Sequence, residues 1–209
     1  MELKDRIIQE AAILFFKNGV KSMTMSDIAN QLGISKRTLY EIFSDKEELL
    51  EECINVHIKK VDCEMENLIN HAEDVIDALM RMYAKQLSTA QGINKSALHD
   101  LKKYYLPIYK RIESQQQNGY YIFVPLLEKG IQQGLIRKDI NFEVVMWLVR
   151  AQFKALIDDD YIPTDKYSIK EFISAIILNV IRGIATMDGM IEIDRRIEKM
   201  REERKEATL

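Results

Sequence analysis

Lys36 and Arg37 stand side by side in GISKRTLYEIF, residues 33–43, followed by a hydroxyl at Thr38 and an aromatic ring at Tyr40. Ammonium and guanidinium groups donate to guanine O6 and N7 or to phosphate. A threonine hydroxyl bonds base or phosphate, and a tyrosine sets its ring on a thymine methyl or its hydroxyl on phosphate. The mix suits nucleic acid. Thr24 and Ser26 upstream, Ser35 beside the pair and Lys46 downstream extend the candidate set. An isolated basic pair is more often a solvated surface, so the weight rests on the framework that presents it.

Other constellations carry less. Cys53 and His57 are spaced i, i+4 on one helix face, half of a metal site, but nothing in the sequence brings Cys63 or His99 to complete it. Asp158-Asp159-Asp160 lacks the spacing and glycine of a calcium loop and reads as a solvated helix end. No nucleophile–base pair, glycine-rich phosphate loop or H-E-x-x-H motif is visible, and His57, His71 and His99 are scattered. No catalytic residue, metal or cofactor is expected. Cys53 and Cys63 lie roughly 15 Å apart along one helix, too far for a disulfide, and read as ordinary thiols.

The elements that must position these residues are helical. The chain has 209 residues, 47 % apolar and 30 % charged, with only 8 Gly and 3 Pro. So few breakers predict long helices and an all-α fold. No apolar run approaches bilayer length, and MELKDRIIQEAA lacks the apolar core of a signal peptide, so a cytoplasmic protein is expected. Periodicity predicts a first helix over about 2–18 with Ile7, Ile8, Ala11, Leu14 and Phe15 inward, stopped by Gly19. Thr24-Met-Ser-Asp27 is a capping box opening a short helix with Ile28, Ala29 and Leu32 inward. Gly33 ends it, and Ser35 caps the next, over 36–43, with Leu39 and Phe43 at i, i+4. Ser44-Asp-Lys-Glu47 reads as a second capping box, opening a helix to about His71. Further helices are predicted near 73–91, 94–103, 107–133 (with a kink at Gly119), 141–157 and 168–188, with Asn141 and Ser168 as caps. DDDYIPTDKY, 158–167, is the best loop. A tail helix near 190–205, with Ile193, Ile197 and Met200 against many charges, reads as an exposed amphipathic cap.

Two short helices joined by a tight glycine turn form a helix-turn-helix, whose second helix enters the major groove by its N-terminal end. Residues 25–43 fit it. Residues 1–50, with TMSDIANQLGISKRTLYEIFSDKEELL at their core, resemble the DNA-binding domain of the TetR family of bacterial regulators. The shared features are Thr24, Ile28-Ala29, Gly33-Ile34-Ser35, Thr38-Leu39-Tyr40, Phe43, Lys46-Glu47 and Leu49. Arg37 departs from the small residue many relatives carry there. The resemblance implies a DNA-binding domain over 1–46 and a helical ligand-binding and dimerisation domain over 47–209. It implies a homodimer on a pseudo-palindromic double-stranded operator, and a repressor released from DNA by a small molecule, with no membrane partner.

Beyond residue 50 the resemblance thins to QGLIRKDINFEVVMWLVRAQF, 133–153, where a Gly-Leu-Ile-Arg turn precedes an apolar helix. The two most apolar helices place Val145, Leu148, Val149, Gln152 and Leu156, then Phe172, Ile173, Ile176, Ile177, Val180, Ile181 and Ile184, on faces that demand burial. A four-helix dimer interface is the expectation there and a monomer core the alternative. Met and aromatic residues crowd the middle helices. Singly they read as core; together they suit an adaptable pocket, for which Tyr83, Gln86, Tyr109, Phe123 and Trp147 are the candidate lining groups.

The charge balance bears on this. The chain carries −3 overall, yet residues 1–46 hold seven basic against six acidic residues. The acid lies mostly outside the reader, and counterion release depends on local phosphate contacts. One reader should still bind weakly, so two on a dimer are expected. The rival readings are an all-α protein-interaction module without DNA binding and, further off, a ligand-processing helical enzyme.

Overall fold

Local signals fix the first helices. The computed structural model describes residues 2–89, 95–158 and 166–206, all in helices and short connections apart from one isolated antiparallel bridge, Ile136 to Ala185. The helices are α1 (Leu3–Asn18), α2 (Met25–Leu32), α3 (Lys36–Ile42), α4 (Lys46–Asn70), α5 (Val75–Thr89), α6 (Lys95–Tyr104), α7 (Leu106–Gln132), α8 (Phe142–Asp158), α9 (Ile169–Ile184) and α10 (Met187–Glu206). The all-α expectation holds. None of the described helices is long and apolar enough to cross a membrane.

Residues 1–63 with 92–117 form one compact unit, and 64–91 with 118–209 a second. In the first, Ile7, Ile8, Ala11 and Phe15 of α1 meet Ile28, Ala29, Leu39, Phe43, Leu49, Leu50 and Ile54, all nearly inaccessible to solvent. Leu101 of α6 and Ile108 of α7 join the same core. Full burial of each Phe or Ile contributes roughly 1.5–3 kcal/mol, so this wall holds α2 and α3 to α1. Cys53 is buried here, its thiol donating to the Ile8 carbonyl at 3.3 Å.

The second unit gathers α5, the end of α7, α8, α9 and α10 around Val75, Ile76, Leu79, Met80, Tyr83, Leu127, Ile173, Ile181, Ile184 and Ile193. Asn141 and Ser168 cap as expected: Val144 N–H donates to Asn141 Oδ1 at 3.2 Å and Glu171 N–H to Ser168 Oγ at 3.2 Å.

Three expectations are corrected. The cap of α4 is Asp45, not Ser44: Glu48 N–H donates to Asp45 Oδ1 at 2.9 Å, and Glu48 itself accepts the Ser44 N–H at 2.6 Å. The predicted 168–188 helix stops at Ile184. There Arg137 N–H donates to the Ile184 carbonyl at 2.9 Å and Thr186 N–H to the Leu135 carbonyl at 3.0 Å, pulling the backbone extended. The tail helix α10 is no exposed cap. Ile193 is wholly buried, and Arg196, 12 % exposed, pairs with Asp74 and lies near Asp77 and Glu192. The 158–167 loop falls mostly outside the described residues, as does most of the Asp158–Asp160 run. α7 runs through Gly119 and contains Pro125.

Candidate nucleic-acid interface

Three local devices set the α2–α3 geometry. Thr24 Oγ1 accepts the Asp27 N–H at 3.2 Å while Asp27 accepts the Thr24 N–H at 2.9 Å, a reciprocal capping box. Gly33 takes φ 66°, the left-handed conformation in which a side chain is strained, and the Ile34 N–H returns to the Ala29 carbonyl at 3.0 Å. Ser35 Oγ accepts the Thr38 N–H at 3.0 Å and caps α3. Arg6 adds a clamp that local sequence did not reveal, its guanidinium donating to the Leu32 carbonyl at 2.8 Å.

With Leu39 and Phe43 wholly buried, the opposite face of α3 is turned to solvent. Ser35, Lys36, Arg37 and Tyr40 are exposed, and Thr38 is half-buried with its hydroxyl 2.8 Å from that of Ser35. The Lys36 ammonium lies 5.7 Å from the centre of the Tyr40 ring. Arg37, 89 % exposed, is paired with Glu41 at 2.9 Å one turn on. Thr24 is exposed, and Ser26 is half-buried in the first turn of α2. Lys46 opens α4 half-buried. Burial pushes its pKa down from the ordinary lysine range, against the opposing pull of the Asp100 and Asp27 carboxylates.

The structure therefore brings Ser35, Lys36, Arg37, Thr38 and Tyr40 onto one short helix end. A second polar group lies in the same compact unit, missed in the sequence because its members lie about 80 positions apart. Lys21, in the α1–α2 connection, donates from its backbone N–H to Asp100 Oδ2 at 2.7 Å and from its ammonium to Tyr104 Oη at 2.9 Å.

The remaining candidates scatter. Tyr83 is buried in the second unit, its hydroxyl 2.8 Å from that of Ser174, with Phe123 half-buried against the same cluster and Gln86 half-buried on α5. Tyr109 instead packs into the core of the first unit, and Trp147 is 57 % exposed on α8, so neither joins Tyr83 in one cluster. Of the candidate interface residues, Leu148 and Gln152 are exposed, and Val145, Val149, Phe172, Ile176, Ile177 and Val180 are half-buried. Leu156, Ile173 and Ile184 are taken up in the unit's own core and can only back such a surface. No cluster of three or more metal-ligating side chains occurs among the described residues. His57 packs against Phe16 with the rings tilted by 46° and their centres 5.4 Å apart.

The fold and the capped α3 define a helix-turn-helix protein carrying a larger helical unit. The family model described as "Bacterial regulatory proteins, tetR family" matches residues 7–53, the stretch from α1 into α4. The uncharacterized HTH-type transcriptional regulator YvaF of Bacillus subtilis is 27 % identical, over 86 % of this chain and 94 % of its own. The HTH-type transcriptional repressor KstR2 of Mycolicibacterium smegmatis is 22 % identical, over 70 % of this chain and 74 % of its own. The crystal structure of the regulator FadR from Bacillus subtilis, in complex with stearoyl-CoA, is similar in fold. Its TM-score is 0.63 at 20 % identity, over 86 % of this chain and 98 % of that one. Residues 7–53 thus match the DNA-binding part of TetR-family regulators, the relatives are helix-turn-helix transcriptional regulators, and the chain is similar to them over most of its length.

Proposed function

We propose that the protein is a cytoplasmic homodimeric repressor that grips a pseudo-palindromic operator through residues 1–46 and is released by a small molecule bound within 47–209. The observation that carries this is the α3 N-terminus, capped by Ser35 and turned outward with Lys36, Arg37 and Tyr40 exposed. Lys36 and Arg37 read base edges or phosphate. Thr38 and Tyr40 add a hydroxyl and a ring, and Thr24, Ser26 and Lys46 hold the backbone at two helix N-termini. Two readers facing successive major grooves roughly 34–36 Å apart supply the affinity that one near-neutral reader lacks. Duplex DNA from upstream of the protein's own gene tests this by fluorescence anisotropy. The wild type binds at low salt, and Lys36→Ala with Arg37→Ala weakens binding at least tenfold, since a good base contact is worth about 1–3 kcal/mol. A wild type that binds no part of that region overturns the reading.

For the dimer, Val144, Trp147 and Leu148 follow i, i+3, i+4 on α8 and are each more than half exposed. Beside them Val145, Val149 and Gln152, with Phe172, Ile176, Ile177 and Val180 of α9, supply the rest of a four-helix face. An exposed apolar row of this kind supports the reading of an interface there. For the effector, FadR was solved with stearoyl-CoA, and KstR2 of Mycobacterium tuberculosis is a ketosteroid transcriptional regulator. Both point to a carbon-rich ligand with a polar end. The second unit supports that chemistry: Met80, Met82 and Phe123 are apolar and adaptable, and the Tyr83–Ser174 hydroxyl pair lies among them. Release requires that the ligand favour a spacing of the readers that DNA does not fit. α4 carries Lys46 at one end and contributes residues to both units. Long-chain acyl-CoA should raise the melting temperature and displace the protein from DNA.

A further inference from the structure

Near the first turn of α2, and apart from the contact residues named above, lies a group of two ammonium groups and a phenol: Lys21, Lys103 and Tyr104. The Lys21 ammonium donates to Tyr104 Oη at 2.9 Å and stands 4.6 Å from the centre of that ring. The Lys103 ammonium is 5.5 Å from the same ring centre. Because the phenol oxygen accepts from lysine, its own O–H proton is directed elsewhere, and Tyr104 is 44 % exposed. Lys21 spends one of its three N–H donors on this bond. Hydrogen bonding by Lys21 holds the phenol below its ordinary pKa range, the mark of a positive local field. The complement of such a group is an oxygen-rich anion.

Its placement ties it to the reader. Lys21 lies three residues before the Thr24 cap of α2, and its backbone N–H is pinned to Asp100 of α6 at 2.7 Å. The Asp100 and Asp27 carboxylates both act electrostatically on Lys46 at the start of α4. All of these residues belong to one compact unit. Asp100 is an acid that bears on Lys21. Asp100 is engaged by the Lys21 N–H and Asp27 by the Thr24 cap. Residues 92–117, which return to this unit, carry five Lys or Arg against two acids.

We propose that Lys21, Lys103 and Tyr104 form an outer phosphate-holding site, taking the DNA backbone beyond the bases faced by α3. The site rests on the repressor reading and deepens it, lengthening the DNA each reader grips.

The test uses two duplexes, one trimmed to the bases covered by the readers and one extended at both ends. It compares the wild type with Lys21→Gln/Lys103→Gln and with Tyr104→Phe, which keeps the ring under Lys21. Thermal melts and sedimentation confirm that each variant is folded and assembled as the wild type. The wild type should bind the extended duplex more tightly, and this advantage should vanish in the double variant and shrink in Tyr104→Phe. The slope of log K against log salt should flatten by about 0.9 for each phosphate that the variant no longer neutralises, roughly two per reader. Wild-type affinity and slope retained by the double variant overturn the site. So does a variant changed only in its stabilisation by inorganic phosphate, which would mark a free-anion site. Failure of the wild type to bind either duplex overturns the repressor reading itself, and is thereby distinguished from failure of the site alone.

Discussion

Glu41→Gln should tighten DNA binding while slightly weakening the free protein. Arg37 and Glu41 are bonded at 2.9 Å with side chains 89 % and 59 % exposed. An exposed i, i+4 pair is worth about 0.3–0.5 kcal/mol, and the basic residue here precedes the acid, the weaker order. Binding DNA breaks that pair if the guanidinium turns to the groove, and it leaves a carboxylate about one side-chain length from the phosphates. At roughly 7 Å in water, one carboxylate–phosphate repulsion is about 0.6 kcal/mol before screening. The two effects together cost the wild type on the order of 0.5–1 kcal/mol, so the variant should bind about two- to fivefold more tightly. Anisotropy titrations at low salt measure this, and the gain should narrow as salt rises and the Debye length contracts. Binding that is unchanged or weaker at low salt, in a variant with a native melt, would show that Arg37 does not leave Glu41 for DNA.

Ser35→Ala should cost about 1 kcal/mol of stability through loss of the α3 cap, read as a lower urea midpoint, and should weaken DNA binding further by loosening the helix end. Gly189→Ala places a methyl on the Leu135 carbonyl oxygen at the α9–α10 corner. Overpacking of about 1–3 kcal/mol should outweigh the roughly 1 kcal/mol of helix propensity gained, so the melting temperature falls. Asp27, Glu48 and Glu171 are all held below their ordinary pKa by the cap hydrogen bonds they accept from Thr24, Ser44 and Ser168. A depressed folded pKa gives stability that is present above the unfolded value and lost as pH falls through the folded one, so circular dichroism should show acid unfolding that Asp27→Asn makes less steep. Burial pushes the Cys53 thiol from 9.0 up to about 12. The unfolded chain ionises first, so stability should fall as pH climbs past 9.0, and a thiol reagent at neutral pH should modify Cys63 long before Cys53.

The first fifty residues were legible because their signals are local. Thr24 with Asp27, Gly33, and Ser35 with Thr38 each act within four positions, and each forms as the spacing predicts. Ser44 against Asp45 was a choice between two adjacent capping residues, and no pattern of periodicity ranks them; in the structure Asp45 takes the α4 cap. The end of α9 was invisible for a different reason. Ile184-Ala185-Thr186-Met187 continues a helical pattern, and what breaks it is backbone pairing with Leu135 and Arg137, about fifty positions earlier. α10 misled by its charges: Arg196 is spent on Asp74, just ahead of α5, which frees Ile193 to be buried. Trp147 and Tyr109 show the limit of aromatic content as a pocket signal. Residue type gives the appetite for burial, but only tertiary packing decides which core, or which exposed face, receives the ring.

That limit bears directly on how an acidic chain holds DNA. Counted along the sequence, the reader ends near residue 46 and is close to neutral, which leaves dimerisation as its one source of extra affinity. Counted in space, the same unit also takes in the basic segment 92–117, pinned to it through Lys21 and Asp100. Counterion release responds to cations near phosphate and is indifferent to those elsewhere. The acidity of the remaining helices therefore weakens binding only through screened, long-range repulsion. On the proposed reading, tertiary recruitment of a distant cationic helix would do for one reader what a second protomer would do for the pair. The two contributions separate in experiment: the spacing between half-sites reports the dimer, and the length of flanking duplex reports α6.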